Sequence, residues 1–379
     1  MELRLLAVVC RLLALQRVVA HGSHNEHRHY HHDDHHHDHD QQTKQGHRSG
    51  SSASPTTLTQ GSAERFCPSD AHQALVELKS IEECGIPAAP ICVHPFEQDR
   101  IISGGIIKFG KWAIHADEHW RHAVLCDIVR SSHPGSWILD IGSNIGSFTL
   151  PLLAAGRNVV AVEATPTNEK MLRASYRQLR RLSTKGTARK IGRLFLINKA
   201  VTAPGMPASV CMGHQRKKGV GYLVEDNQGN MQVKAPGSDL CHVHVNASTI
   251  DDELHVWEQS LFRRQPGLAS TTAWTPRVAQ FAAVKVDIEG HEAEMIKGAK
   301  QVFCKYRPPL AFFEGRLGTG SWLDRFAYDF AYQLNSSWSF ASDATIHGPK
   351  VSGRLAHDVR LSPLNQSLAA RCSSSHHTQ

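Results

Sequence analysis

Several features that would define a protein class at once are missing from this sequence. No uncharged apolar run approaches the ~18 residues that a membrane-spanning helix needs, and the longest candidate, residues 141–156, is interrupted by Gly, Asn, Ser and Pro. This excludes a polytopic membrane protein. None of the nine cysteines forms a C-x-x-C pair, which argues against a zinc ribbon or a thioredoxin-type site. The composition also excludes collagen, a coiled coil and a chain that is disordered throughout.

The remaining composition is that of an ordinary globular protein. The 379 residues are 41% hydrophobic and 20% charged, which is enough apolar material for one sizeable core. The 42 Lys and Arg residues against 35 Asp and Glu give a net charge of +7, which permits an anionic partner without requiring one. Histidine is the unusual residue, because eleven of the 26 lie between His21 and His47.

The N-terminus has the layout of a targeting segment. Residues 1–20 place a basic residue before an apolar stretch and end on small residues, as a secretory signal peptide does. Arg11 and Arg17 interrupt that pattern and also suit an organelle transit peptide, and an uncleaved start remains a third option. We expect the secretory pathway, with a lumenal or secreted protein, and keep an organelle as the alternative.

Two sequence features favour secretion. Sequons for N-glycosylation begin at Asn246, Asn335 and Asn365. Removing residues 1–20 also removes Cys10 and leaves eight cysteines, an even number. Local disulfides among the cysteines between residues 67 and 92 are one possibility, and buried free thiols are the other.

The segment that follows is predicted to be a disordered linker. Residues 21–65 are rich in His, Asp, Gln, Ser and Gly and contain almost no aliphatic residues. Such a segment cannot bury enough apolar surface to offset its ordering entropy. Its imidazoles and carboxylates would bind divalent metal incidentally, without a fixed geometry.

The pattern of apolar runs predicts an α/β fold from residue 136 onward. Residues 66–135 form an N-terminal cap segment with a helix at 71–83, and residues 321–379 a C-terminal extension. Between them, residues 136–320 alternate short buried strands with amphipathic helices, which implies right-handed crossovers in a doubly wound parallel sheet. The strands are predicted at 137–141, 158–163, 194–200, 281–287 and 310–314, and residues 202–245 are predicted to be an insertion with a hairpin.

The loop after the first of these strands selects a class of ligand. It reads Asp140-x-Gly142-x-Asn144-x-Gly146 and matches neither the G-x-G-x-x-G dinucleotide pattern nor a phosphate-binding P-loop. Its leading carboxylate disfavours a pyrophosphate and suits a cationic ligand. Glu163 ends the next strand, where a carboxylate accepts the hydroxyls of a ribose. A ribose, a positive charge and no phosphate together describe S-adenosylmethionine, with Asn198 expected near the adenine. A purely structural Gly turn is the alternative.

At this point the sequence resembles the FkbM-type methyltransferases over residues 136–315. The matching stretches are LDIGSNIGSFTL, VVAVEATP, FLINKAV, STIDDEL and AAVKVDIEGHEAEMIKGA. The resemblance implies a Rossmann-like class I methyltransferase, with helices on both faces of the sheet, that uses S-adenosylmethionine. It also implies O-methylation of a hydroxyl on a sugar, glycan or small molecule, without naming the acceptor.

The predicted catalytic residues follow the fourth main strand. Reactants gather at the carboxyl ends of strands in open α/β sheets, so we assign acceptor orientation and proton removal to Asp287 and Glu289, with His291 as the alternative base. Asp287 and Glu292 could equally be helix caps. We expect no catalytic metal, because no third ligand accompanies the carboxylate pair.

Two other functions compete with this one. A nucleic-acid methyltransferase has support from the basic run between Arg173 and Arg193, although no aromatic residues accompany it as they do in single-strand binding proteins. A solvated helix face explains the run better, so no nucleic acid is expected. The third possibility is a metal-binding protein in which the α/β domain is degenerate, against which the intact Asp140, Glu163 and Asp287 argue.

Overall fold

The structure is a computed structural model that describes residues 67–68, 74–100, 102–111, 117–184, 190–214, 231–234, 241–263, 280–314, 326, 330, 332–334 and 358–363. The predicted signal peptide, the His-rich linker and the sequons at Asn335 and Asn365 lie outside these residues. Among the described helices, none is long and apolar enough to cross a membrane.

The first described segment begins with strands. Strand β1 (Ala74–Leu78) and β2 (Ala89–Val93) are antiparallel and are joined through a 3-10 turn, Glu82–Cys84. The helix predicted at 71–83 is therefore wrong. Strand β1 is stabilised by its pairing with β2, whose residues are all buried. Gly85, with a left-handed φ of 71°, reverses the chain between the two strands. Helices α1 (Ile102–Phe109) and α2 (Asp117–Arg130) follow.

The rest of the chain alternates strands and helices much as the sequence predicts. In chain order the elements are β3 (Trp137–Ile141), α3 (Thr149–Ala154), β4 (Asn158–Val162), α4 (Pro166–Thr184), β5 (Leu194–Ile197), β6 (Ala200–Val201), β7 (Ser209–His214), β8 (Met231–Lys234), β9 (Val243–Ser248), α5 (Ile250–Arg263), β10 (Phe281–Val286), α6 (Glu292–Lys297), a π-helix (Val302–Tyr306), β11 (Ala311–Glu314), β12 (Tyr332–Leu334) and β13 (Asp358–Pro363).

The central sheet has seven strands in the order β12-β13-β11-β10-β3-β4-β5. Its pairs are parallel except those of β13, which runs antiparallel to both β11 and β12. This is the predicted doubly wound, Rossmann-like fold. The chain builds outward from β3 to β5 and then returns to β10 on the other side of β3. The strand order thus reverses between β3 and β10, which is where such sheets bind ligands.

Side chains of the central strands alternate between two cores. Ile138 contributes to the core under α1 to α4 and the β1–β2 pair, whereas Leu139 contributes to the core under α5, α6 and the π-helix. Trp257 of α5 anchors the second core by stacking on Phe281. Because the sheet is covered on both faces, its strands are near-continuous apolar runs. Strands from beyond residue 320 complete this sheet at one edge.

A second, smaller sheet follows β5. Its four strands have the order β6-β9-β7-β8, and β7 and β8 form the antiparallel hairpin predicted in the insertion. The strand predicted at 194–200 ends earlier, at Ile197, because the chain leaves the central sheet at Asn198 and enters the second one at Ala200. The second sheet thereby begins at the carboxyl ends of the central strands.

The described cysteines are paired. Disulfides join Cys67 to Cys92, Cys84 to Cys126, and Cys211 to Cys241. Cys304 is also disulfide-bonded. The Cys67–Cys92 pair is a local disulfide of the kind that the sequence allowed. The alternative of buried free thiols is wrong for the described cysteines.

Candidate active site

The loops after β3 and β10 are in direct contact. The backbone N–H of Asp287 donates to the carbonyl of Ile141 (3.1 Å), and that of Gly142 donates to Val162 of β4 (2.9 Å). These bonds extend the parallel pairing of β3, β4 and β10 by one residue. Three of the predicted site residues, Asp140, Gly142 and Asp287, therefore meet at the point where the strand order reverses.

The two glycines of the loop are required by the protein's own packing. Gly142 has a φ of 79°, and a Cβ built on it would lie 1.8 Å from the carbonyl oxygen of Asp287. At Gly146, with a φ of 97°, a Cβ would lie 2.4 Å from Cδ1 of Leu172 on α4. The loop thus fits closely between β10 and α4. A larger residue at Gly142 would meet backbone, whereas one at Gly146 would have to shift the end of the Leu172 side chain and adopt a left-handed φ.

A buried lysine connects the two loops. Nζ of Lys285 donates to the carbonyl of Gly142 (2.9 Å) and lies 3.4 Å from Oδ1 of Asp140 and 3.3 Å from Oδ2 of Asp287. Asp140 is fully buried and its Oδ2 also accepts a bond from Thr149 Oγ1 (2.5 Å). Asp287 keeps 17% of its side chain exposed. Asp140 is therefore directed into the protein, whereas the side chain of Asp287 is partly open to solvent.

Glu163 holds the loop from the neighbouring strand. Its Oε2 accepts the N–H of Asn144 (2.8 Å), and its Oε1 accepts the N–H of Thr165 (2.9 Å) and Nδ2 of Asn168 (3.4 Å). Burial raises the pKa of this carboxyl, and the hydrogen bonds oppose that shift. A carboxylate has about four acceptor positions. Four donors, including the side chain of Thr165, thus hold this carboxyl, so a ligand hydroxyl would share one of its oxygens with a protein donor.

Asn198 and Asn144 brace this part of the site. Asn198 is exposed, and its Nδ2 donates to the carbonyls of Glu163 (2.8 Å) and Ala164 (3.2 Å). Asn144 adopts a left-handed φ of 52°, and its Oδ1 accepts the N–H of Ile145 (2.6 Å). Asn tolerates this conformation because its side chain bonds to the local backbone. Both residues thus lie beside the carboxyl end of β4.

The turn after β10 is held by Glu292. Glu289 and Gly290 have left-handed φ values of 57° and 94°. Oε1 of Glu292 accepts the N–H groups of Ile288 (3.0 Å) and Gly290 (3.1 Å), and burial raises the pKa of this carboxyl. Glu292 thus holds the turn that precedes α6, and among the described residues the helix start at His291 has no side-chain cap.

His291 links this turn to the second sheet. It stands before the first residue of α6, and its Nε2 lies 3.2 Å from Oγ1 of Thr202, the residue after β6. Burial lowers the pKa of this imidazole below 6.5, so the ring is neutral at neutral pH. Thr202 was not predicted as a site residue, because only the folding of the insertion against β10 brings the two together.

One group among the described residues has the composition of a metal site. It consists of Glu83, His122 and Cys126. Cys126 is engaged in its disulfide with Cys84, and His122 forms an ion pair with Glu83. The group lies on the 3-10 turn and α2, outside the loops that follow β3 and β10.

Solved structures of methyltransferases are similar to this chain. Methyltransferase FkbM from Methylobacillus flagellatus is 15% identical with a TM-score of 0.29, and the match covers 60% of this chain and 43% of that one. Magnesium protoporphyrin IX methyltransferase (ChlM) from Synechocystis is 9% identical with a TM-score of 0.30, covering 66% and 86%. A TehB-like S-adenosylmethionine-dependent methyltransferase from Corynebacterium glutamicum is 12% identical with a TM-score of 0.30, covering 65% and 88%.

The chain spans less than half the length of the FkbM protein. No protein-family model matches the chain, and no curated protein matches it. The first of these structures bears the name of the family that the sequence resembles.

Proposed function

We propose that this protein is an S-adenosylmethionine-dependent methyltransferase that methylates a hydroxyl oxygen of a sugar, a glycan or a small molecule. The observation that carries the proposal is the meeting of the glycine loop with Asp287 where the strand order reverses, beside the ribose-type carboxylate of Glu163. When bound, the cofactor supplies a methyl group on a positively charged sulfur.

The residues present fit that cofactor. Oε2 of Glu163 can accept a ribose hydroxyl beside the N–H of Asn144, and the partly exposed carboxylate of Asp287 lies next to the glycine loop for the acceptor. Lys285 offsets part of the negative charge of Asp140 and Asp287, so the two carboxylates can share one buried edge. We assign Gly142, Asn144 and Gly146 to the loop that faces the cofactor, and Asp140 and Asn198 to its support.

Aligning the acceptor is the main task of such a site, because methyl transfer is an in-line displacement. The acceptor hydroxyl loses its proton as its oxygen bonds the methyl carbon and the carbon–sulfur bond breaks. Asp287 is suited to hold that hydroxyl, since it is accessible at the end of β10. Glu289 lies on the same turn and remains the second carboxylate of the proposed site.

We propose His291 as the proton acceptor on its position at the turn after β10, where its ring contacts Thr202. Burial lowers the pKa of its imidazole, so the ring is neutral and able to accept a proton at neutral pH. Oγ1 of Thr202 fixes the orientation of the ring. We therefore propose Asp287 for orientation, His291 for proton removal and Glu289 for the acceptor's second contact.

The paired cysteines support a lumenal or secreted location for this activity. Disulfides persist in oxidising compartments and are rare where thiols are kept reduced. Three pairs among the described residues, together with the signal-peptide layout of residues 1–20, favour the secretory pathway over an organelle.

Calorimetry and a methyl-transfer assay test the proposal. The full-length protein should bind S-adenosylmethionine, and Glu163→Ala should weaken binding about ten- to hundredfold. Asp287→Asn and His291→Ala should leave that affinity nearly intact and lower transfer of labelled methyl to extracted glycans or metabolites by ~10²-fold or more. Absence of cofactor binding by the wild-type protein would contradict the function, whereas normal turnover in both catalytic variants would contradict only the assignment of residues.

A further inference from the structure

His94 is a buried residue outside the site described above. It follows β2 directly and is 1% exposed. Its backbone N–H donates to Oγ of Ser103 (3.0 Å), and its ring Nε2 lies 2.8 Å from Oδ1 of Asn168. Asn168 lies in the first turn of α4 and its Nδ2 reaches Oε1 of Glu163 (3.4 Å). A histidine of the N-terminal segment is thus connected through one side chain to the proposed ribose-binding carboxylate.

The chemistry of Glu163 fixes the direction of every bond in this chain. Its carboxylate accepts backbone N–H groups on both oxygens, so it is an acceptor toward Asn168 as well. Asn168 must therefore turn its amide nitrogen to Glu163 and its oxygen to His94. The imidazole can satisfy that oxygen only by donating, so the proton of the neutral ring lies on Nε2.

The other side of His94 is equally constrained. Among the described residues its Nδ1 has no hydrogen-bond partner, so the contact of Nε2 with Asn168 is the one that orients the ring. Ser103, which accepts the backbone N–H of His94, donates its own hydroxyl to Asp99 (2.7 Å). Asp99 also accepts the N–H groups of Ile102 and Ser103 and so caps α1. The position of His94 is therefore set by α1.

We propose that His94 is a positioning residue for the cofactor, acting through Asn168 on Oε1 of Glu163 to hold the carboxyl in the orientation that presents Oε2 to a ribose hydroxyl beside the N–H of Asn144. The N-terminal segment is then part of the cofactor site and not only a cover for the sheet. This inference rests on the proposed function, because it specifies how the ribose carboxylate of that function is oriented. The distance of 3.4 Å between Nδ2 of Asn168 and Oε1 of Glu163 is long for a hydrogen bond, so this contact orients the carboxylate without binding it strongly.

Two substitutions of His94 separate positioning from packing. The amide nitrogen of a glutamine reaches the position of the histidine Nε2, whereas that of an asparagine reaches only the position of Nδ1. His94→Asn should weaken binding of S-adenosylhomocysteine about three- to tenfold, as should Asn168→Ala, while His94→Gln should restore most of the affinity.

Ser175 provides the matched control. Its Oγ accepts the N–H of Cys92 (2.8 Å), so it joins the same strand, β2, to the same helix, α4, without contacting Glu163. Ser175→Ala should lower the melting temperature about as much as His94→Asn and leave the affinity for S-adenosylhomocysteine within about twofold of wild type. Melting curves of all four variants identify any that do not fold, in which case the remaining His94 or Asn168 variant decides.

A cofactor analogue locates the effect on the ribose. The 2′,3′-dideoxy form of S-adenosylhomocysteine lacks both ribose hydroxyls, so it cannot donate to Glu163 whichever of the two that carboxylate accepts. His94→Asn should therefore weaken binding of this analogue less than binding of the parent compound. Equal losses for both compounds, or equal losses in Ser175→Ala, would overturn the positioning role and leave the proposed function standing. No binding of either compound by the wild-type protein would instead overturn the proposed function.

Discussion

Gly142 has a left-handed φ of 79°, and its missing side chain leaves room for the backbone of Asp287. A larger residue here would therefore disturb the free protein, and not only exclude a ligand. The Cβ of an alanine would lie 1.8 Å from a carbonyl oxygen that belongs to the adjoining strand end. The glycine is thus required before any ligand binds.

This distinction gives a prediction for the stability of the free protein. Gly142→Ala should lower the free energy of unfolding by about 2–4 kcal/mol, because the clash adds to the backbone strain. Gly135→Ala is the control, since Gly135 has a φ of 91° with open space around its missing Cβ. It should cost only the strain, about 1–2 kcal/mol. Urea unfolding measures both, and equal losses would contradict the clash.

His291 carries a second prediction, for the dependence of turnover on pH. Burial lowers the pKa of its imidazole below 6.5, so the neutral form needed for proton removal persists into mildly acidic solution. Turnover should fall only as the pH drops through that lowered pKa, and His291→Ala should lose this acidic limb along with ~10²-fold or more of kcat.

The same shift sets the sign of a stability effect. The pKa of His291 is lower in the folded state than in the unfolded state, so its contribution to stability is present above pH 6.5 and is lost as the pH falls through the folded-state pKa. Rates must therefore be compared where circular dichroism shows an intact fold. An acidic limb that persists unchanged in His291→Ala would assign the proton acceptor to another group, with Glu289 the next candidate.

At the scale of the element, local patterns and distant pairing differ in how well they can be predicted. The run at residues 137–141, followed directly by Gly142, predicts β3 and its loop, because strand, turn and helix signals all lie within a few residues. β1 is mispredicted because its apolar residues at 75, 76 and 78 fit either period, and only pairing with β2 decides between them. Strands β12 and β13 are short and depend on pairing with distant strands: β13 pairs with β11, and β12 pairs with β13.

The candidate site divides in the same way. Asp140, Glu163 and Asp287 are predictable because each ends a recognisable strand. The side chains that support those carboxylates could not be predicted, because Lys285 bonds to Gly142 across 143 residues of sequence and His94 bonds to Asn168 across 74. Likewise Thr202 meets His291 only because the insertion folds back toward β10. Tertiary contacts of this kind leave no periodic signal in the sequence.

Asp251 provides a prediction at the same scale, because it joins two helical elements. Its carboxylate oxygens accept the N–H of Gln301 (both 3.0 Å) and one also reaches the N–H of Val302 (3.4 Å), so a residue of α5 caps the π-helix. Asp251→Ala should lower the free energy of unfolding by about 1–2 kcal/mol. The neighbouring Asp252 is the control, since within the described part of the chain its side chain bonds to Thr249 at its own helix start and not to the π-helix. Similar losses on urea unfolding for both variants would contradict the capping role.

At the scale of the whole molecule, the second sheet connects the fold to the proposed secretory route. Strand β9 alternates between a buried face, where Val245 packs into the small core of this sheet, and an exposed face that carries His244 and Asn246. Asn246 begins the sequon Asn246-Ala-Ser and is the one asparagine of the three sequons that lies within the described part of the chain. The Cys211–Cys241 disulfide lies in the same sheet. The exposed Asn246 side chain is accessible for glycosylation, and the disulfide is typical of an oxidising compartment.

We therefore predict that Asn246 carries an N-linked glycan when the full-length protein is made in eukaryotic secretory cells. Treatment with an N-glycosidase should increase the mobility of the protein, and mass spectrometry should find the resulting Asp at position 246. Asn246→Gln and Ser248→Ala should each remove that modification, whereas His244→Gln, on the same exposed face, should leave it. Protein with an intact Met1 and an unmodified Asn246 would contradict the secretory route, because a chain that enters the oxidising lumen passes the glycosylation machinery before its disulfides close.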